Sequence, residues 1–265
     1  MDSQWNVKVE DTQKVRKVRL YTSFFLATAG LVIVASQVIP LTKSYVEGVL
    51  EEKRQDMKVE PVPESYKKYI EDEFAYYDPG LSYFANLSQK LGNLDLTNQY
   101  SYNPQTGSQV EVKVDKEYSK NMYIDIESIG IKGVKIAANV ESEKENVYNQ
   151  YLKTGVAHFR GTPLPGDGGN SFIYGHSAVE SFFNKHSNNP ETIFSRLDGI
   201  DVGQKVTIKR DEKVLEYVVR SKKIVSPDDF SILQPVNDKE TVTMMTCWPL
   251  GIGTKRLIVI AERRI

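Results

Sequence analysis

The sequence predicts an all-β carboxy-terminal half, a barrel or sandwich, set behind one amino-terminal membrane-spanning helix. Two observations carry this. From Met122 onward, short apolar runs alternate with turn residues and helical interruptions are few. Between Leu20 and Ile39 the stretch LYTSFFLATAGLVIVASQVI carries no charge. With 265 residues there is room for one large domain or two small ones. The 35 acidic residues nearly balance 34 basic ones, so no strong positive field points to a nucleic-acid partner.

A helix of about 20 residues spans about 30 Å, the hydrocarbon thickness of a bilayer. Leu20 to Ile39 meets that length, and Pro40 is expected to close it. Lys14, Arg16, Lys17 and Arg19 crowd its amino-terminal edge, whereas Lys43 is the one base in the first dozen residues beyond. That asymmetry keeps residues 1–19 cytoplasmic and exports everything after Pro40. A buried soluble helix and a cleaved signal peptide are the competing readings; the latter normally has a shorter apolar region, about 7 to 15 residues.

Residues 40–118 read as an extracytoplasmic stalk and linker. Ser44 to Met57 is highly charged, with Val46, Val49, Leu50 and Met57 at helical spacing, and Pro61 and Pro63 end it. Ser65 to Tyr77 carries Tyr66, Tyr69, Ile70, Phe74 and Tyr77, an aromatic stripe suited to packing on the domain that follows. Asp78-Pro79-Gly80 is a turn, and Leu94 to Gly107 lacks periodicity and reads as irregular linker.

In residues 119–265 the expected strands are Met122 to Ile126, Val134 to Ala137, Ser171 to Tyr174, Lys205 to Lys209, Leu215 to Ile224, Thr241 to Cys247 and Arg256 to Ala261. Asp211-Glu212-Lys213 makes a compact hairpin loop. Ser142 with Glu145 has the form of a capping box, which predicts a short helix over Glu143 to Leu152; Thr192 to Leu197 is a second. Thr154 to Asn170, dense in Gly and Pro, is expected to be a shaped loop rather than a strand.

Chemistry has three candidates: Cys247, His176 after Gly175 at a strand end, and Arg256 beyond the loop that follows the cysteine. A lone cysteine is often inert core, His176 can be structural, and Arg256 can face solvent. Export weighs against the inert reading, because an oxidising compartment favours paired thiols and Cys247 is the single cysteine. Alternation sets Val242, Met244 and Thr246 on one face of their strand, and Thr243, Met245 and Cys247 on the other. A thiolate nucleophile needs a base or cation, a histidine supplies proton transfer, and an arginine can hold a developing oxyanion.

The ordered pieces His158-Phe159-Arg160-Gly161-Thr162, Pro165-Gly166, Gly169-Asn170, Gly175-His176, Thr246-Cys247 and Arg256-Leu257-Ile258-Val259 resemble those of the sortases, membrane-anchored cysteine transpeptidases of bacterial surfaces. The resemblance implies an eight-stranded β-barrel with short helices and a catalytic trio of His176, Cys247 and Arg256. It implies attack on an LPXTG-like sorting signal, a thioacyl enzyme, and transfer of the surface protein to an amine acceptor such as a cell-wall precursor or pilin. It also implies a single-pass protein of the bacterial plasma membrane.

An exported cysteine protease and a non-catalytic envelope adaptor are the alternatives. His158 matches a family position but receives no catalytic role, and His186 reads as solvated. Some sortases bind calcium through acidic loops, to which Glu141, Glu143, Glu145, Asp228 and Asp229 can be compared; dispersed surface carboxylates are the better account, because a calcium site needs several converging oxygens, and no metal or other cofactor is expected. Asp78-Pro79 is similar to a lid motif of pilus-assembling sortases, with Gly80 in place of the aromatic.

Overall fold

The computed structural model describes residues 10–56, 100–102, 109–111, 115, 117–142, 144–178, 189–234 and 239–264. The aromatic stripe of Ser65 to Tyr77, the Asp78-Pro79-Gly80 turn and His186 lie outside the described residues. The chain divides into two compact units, Met1–Lys43 and Ser44–Ile265.

Helix α1 runs over Glu10–Asp56, through Pro40 rather than ending there. A proline removes one backbone hydrogen bond, and flanking turns that are otherwise intact can carry the helix past it. Among the described residues this is the one helix long and apolar enough to cross a membrane, over Arg16–Glu51. Phe24, Phe25 and Leu31 are 70 to 72 % exposed, as expected of side chains meant for lipid. The hydroxyls inside the apolar stretch bond back to their own helix: Thr28 to the Phe24 carbonyl at 3.0 Å and Ser36 to that of Ile33 at 2.7 Å. Each such bond satisfies the hydroxyl donor within the helix itself.

The second unit holds a small antiparallel pair, β1 (Tyr100–Tyr102), inside the stretch expected to be irregular, and β2 (Gln109–Glu111), just beyond it. The strands β3 (Met122–Ile126), β4 (Ile131–Val140), β5 (Val156–Phe159), β6 (Asn170–Tyr174), β7 (Lys205–Arg210), β8 (Lys213–Val225), β9 (Thr241–Trp248) and β10 (Lys255–Arg263) follow. They close into an eight-stranded barrel in the order β10-β8-β7-β3-β4-β5-β6-β9. All seven expected strands are present. The eighth, β5, lies inside the segment expected to be a loop, and all four of its residues are buried. Four residues covered on both faces leave no alternation to read, and inward-facing His158 interrupts the apolar run.

Helix α2 (Glu145–Leu152) is the crossover between the parallel strands β4 and β5, a connection that parallel pairing requires. The expected capping box does not form. Lys144 is the cap residue and offers no side-chain bond, while the Ser142 hydroxyl bonds the Val140 carbonyl at 3.1 Å and the buried Tyr174 hydroxyl at 2.6 Å. The second expected helix is a 3-10 segment, Pro190–Gly199, capped by Asn189. A shorter 3-10 turn covers Phe230–Leu233.

Alternation along the strands fills two layers. Ile124, Ile136, Ile173, Val206, Tyr217, Met244 and Val259 pack inside the barrel. Phe159, Phe172, Tyr174, Met245 and Ile258 face outward and are covered by Tyr148 and Leu152 of α2 and by Ile232 and Leu233. Edge-to-face ring pairs knit this outer layer, with Phe159 6.0 Å from Phe172 and 6.2 Å from Tyr174 between centroids. Each such side chain contributes about 1.5–3 kcal/mol by leaving water.

Candidate active site

Strand β9 sits between β6 and β10, parallel to the first and antiparallel to the second. The carboxy-terminal ends of β6 and β9 therefore meet the amino-terminal start of β10 at one rim. Register then decides which side chains share a face. Tyr174 is opposite Met245 and Ile258 is opposite the same Met245, so the outer row below the rim is Tyr174, Met245, Ile258. One step of two residues toward the rim, Cys247 is paired with Arg256 on one side, and on the other the backbone bonds of Gly175 and Ser177 to β9 bring His176 alongside. Cys247 and Arg256 thus occupy neighbouring strand ends about 4.8 Å apart on one face, and His176 follows the end of the next strand at the same rim.

His176 lies just past the end of β6, and three bonds keep its backbone alongside β9. The Gly175 amide donates to the Met245 carbonyl at 3.1 Å, the Thr246 hydroxyl donates to the Gly175 carbonyl at 3.0 Å, and the Ser177 hydroxyl donates to the Cys247 carbonyl at 3.0 Å. Ser195, buried in the 3-10 segment, accepts the Ala178 amide at 2.7 Å and holds the next turn of chain. Gly175 is required by packing: a Cβ there would stand 2.9 Å from the Phe194 ring and 3.0 Å from Val156. Sequence reasoning found Gly175 and Thr246 as motif residues. It missed Ser177 and Ser195, whose hydroxyls carry no local signature.

The Cys247 thiol is half-buried and unpaired by disulfide. The loop from Trp248 to Thr254 folds back over it, with Gly253 in the left-handed region at φ 72°. A Cβ on Gly253 would lie 3.3 Å from the Cys247 Cβ and 3.6 Å from Sγ, so a side chain there would crowd the thiol. Arg256 is 8 % exposed and its Nη1 donates to the carbonyls of Gly253 at 2.7 Å and Lys255 at 2.8 Å. The arginine is therefore a fixed part of the rim rather than a solvent-facing strand residue.

Burial lowers the His176 pKa from its ordinary 6.5, with the carboxylates of Glu191 and Glu145 partly opposing the shift. A neutral imidazole beside a thiol can take its proton and return it to a departing amine. His, Cys and Arg, in that order across the ends of β6, β9 and β10, supply a proton carrier, a nucleophile and a cation. That set suits acyl transfer.

His158 has a different setting. It is fully buried; its Nδ1 accepts the Asn139 amide at 3.3 Å, and its Nε2 is 3.0 Å from the Pro163 carbonyl and 3.1 Å from the Thr162 hydroxyl. Burial lowers its pKa to about 4. The unfolded chain binds this proton near 6.5, so the stability tied to the neutral ring is intact above 6.5 and drains away as the pH falls toward 4. The full loss is about 3 kcal/mol. Urea midpoints at pH 7 and pH 4.5 should show a larger drop for the wild type than for His158→Gln; equal drops would contradict the assignment.

Among the described residues no group of three or more His, Cys, Asp or Glu side chains gathers as a metal site would require. Two of the acidic residues compared with calcium loops are otherwise engaged. Glu141 lies 3.4 Å from Arg160, and Asp229 caps the Phe230–Leu233 turn by accepting the Ser231 amide at 3.0 Å.

A family model described as a sortase domain matches residues 124–264. The chain is similar to sortase D of Bacillus subtilis (strain 168), 26 % identical over 115 residues, which cover 42 % of this chain and 52 % of that one. It thus spans about half the length of that curated relative. Among solved structures, it is similar to the sortase D5 transpeptidase of Clostridium perfringens, at 29 % identity and a TM-score of 0.43, covering 56 % of this chain and 84 % of that one. It is also similar to a Clostridium perfringens sortase C solved with the C-terminal cell wall sorting motif, at 26 % identity and a TM-score of 0.46, covering 77 % of this chain and all of the other.

Proposed function

Since this chain belongs to the sortase family, we propose that it is a cysteine transpeptidase anchored in the bacterial plasma membrane by α1, with its amino terminus cytoplasmic and its barrel outside. The observation that carries the mechanism is the pairing of Cys247 with Arg256 across β9 and β10, with Gly175 and Ser177, on either side of His176, bonded to β9. His176 takes the thiol proton. The thiolate attacks the scissile carbonyl carbon of a sorting signal of LPXTG type, and the Arg256 guanidinium stabilises the oxyanion. The imidazolium then gives its proton to the leaving amine, the C–N bond breaks, and a thioester on Cys247 remains. An incoming amine loses a proton to His176 and attacks the thioester; the new amide forms as the thiolate leaves.

The substrate is accordingly a surface protein bearing a sorting signal, and the acceptor an amine on a cell-wall precursor or pilin. Purified full-length chain, given a sorting peptide and an amine, should yield ligated product in an amount that rises with amine concentration. Hydrolysis alone, unaffected by any amine, would assign the same site to a protease. A thiol reagent that leaves Cys247 unlabelled in the folded protein would instead favour an adaptor.

A further inference from the structure

The last turns of α1 lie within the second unit and touch the loop between Cys247 and Arg256. The Ser44 hydroxyl donates to the Leu250 carbonyl at 2.8 Å. Gly48, one turn on, is buried, and a Cβ at that position would stand 2.5 Å from Pro249 Cγ and 3.2 Å from Trp248 Nε1. Gly48 is the buried centre of this face, with Ser44, Val49 and Glu51 partly covered around it. Val46 and Leu50, two of the apolar positions at helical spacing, are 53 % and 51 % exposed. The contact is made through a glycine's bare backbone and a short hydroxyl, which an apolar pattern does not reveal.

The loop so touched closes on itself through the Ile252 and Gly253 amides, which donate to the Pro249 carbonyl at 2.9 and 3.0 Å. Gly251 and Gly253 both sit at positive φ, 75° and 72°, and glycine is the residue with the most conformational freedom to lose. Two grips fix it. Arg256 holds the carbonyls of Gly253 and Lys255 from one side, and α1 seats Pro249 and Leu250 from the other. Trp248, next to the nucleophile, is 5 % exposed beneath this seat, and its indole Nε1 has no hydrogen-bond partner among the described residues.

We infer that the Ser44–Gly48 face of α1 is a buttress for the active-site loop, with Gly48 a positioning residue that keeps Gly253 over Cys247 and Arg256 at the thiol. The inference rests on the transpeptidase reading for its kinetic consequence, but not for the contact itself. Any side chain at 48 meets the ring of Pro249, which is tied to the backbone and cannot swing aside, so the helix must lift and the loop loses one grip.

The test uses the full chain in detergent with Trp5→Phe, which leaves Trp248 as its single tryptophan. Gly48→Leu should make Trp248 more accessible to acrylamide quenching. It should also lower kcat for peptide-to-amine transfer by about 10-fold or more while KM changes little, since a displacement of about 1 Å at a reacting group is costly. Ser44→Ala should move both readouts the same way by less. Val46→Ala, on the exposed face of the same helix, should match the parent. Unchanged quenching in Gly48→Leu overturns the contact, and raised quenching with unchanged kcat overturns the positioning role. A parent chain that transfers nothing overturns the transpeptidase reading and the positioning role with it, while the quenching contrast still decides the contact.

Discussion

Cys247→Ala is expected to lower transfer of a sorting peptide to an amine by about 10⁴-fold or more, the scale of losing a nucleophile that acts with its base as a unit. The thiol is half-buried at the rim and makes no disulfide, so the same change should alter folding stability by only about 0.5–1 kcal/mol. Cys247→Ser should fare little better, because a hydroxyl is far harder to ionise than a thiol. Product formation by mass-resolved chromatography and a thermal melt check the two halves together. Activity within a few-fold of wild type, by the same tenfold-per-1.4-kcal/mol scale, would remove Cys247 from the mechanism.

Arg256→Ala is expected to reduce kcat by about 10²–10³-fold, as when an oxyanion donor is removed. It should also destabilise the rim by about 1–3 kcal/mol, because the Gly253 and Lys255 carbonyls lose their donor. Arg256→Lys should recover little. One ammonium on a flexible stem cannot bridge two loop carbonyls and still present a planar fork to the substrate. Steady-state kinetics of both variants, set beside their melting temperatures, separate lost chemistry from lost structure. A lysine variant near wild-type kcat would show that only positive charge matters at this position.

Most of the barrel was legible because β3, β7, β8, β9 and β10 alternate or run apolar between clear turns. Strand β5 was not, since VAHF is too short for a period and ends in a segment full of Gly and Pro. Helix α1 was foreseen as two pieces around Pro40; uncharged flanks and self-bonded hydroxyls let one helix pass through it. The identities of Cys247, His176 and Arg256 as candidates came from residue type, export and ordered motifs. Cys247 and Arg256 lie on the two arms of one hairpin, a pairing a linear reading can propose, whereas His176 arrives from β6, which reaches β9 by a parallel connection that such a reading cannot see. Gly48 stayed hidden for the converse reason, since it contributes to the loop by what it lacks.

The central claim is that Cys247 becomes acylated by the substrate and is then released by an amine. Intact-protein mass spectrometry of the full chain, mixed with a library of sorting peptides and quenched early, addresses it most directly. The account predicts a mass increase equal to the amino-terminal peptide fragment, located on Cys247, lost in Cys247→Ala and discharged into ligated product when amine is added. Peptide cleavage that continues in Cys247→Ala, or cleavage with no adduct at any quench time, would contradict it.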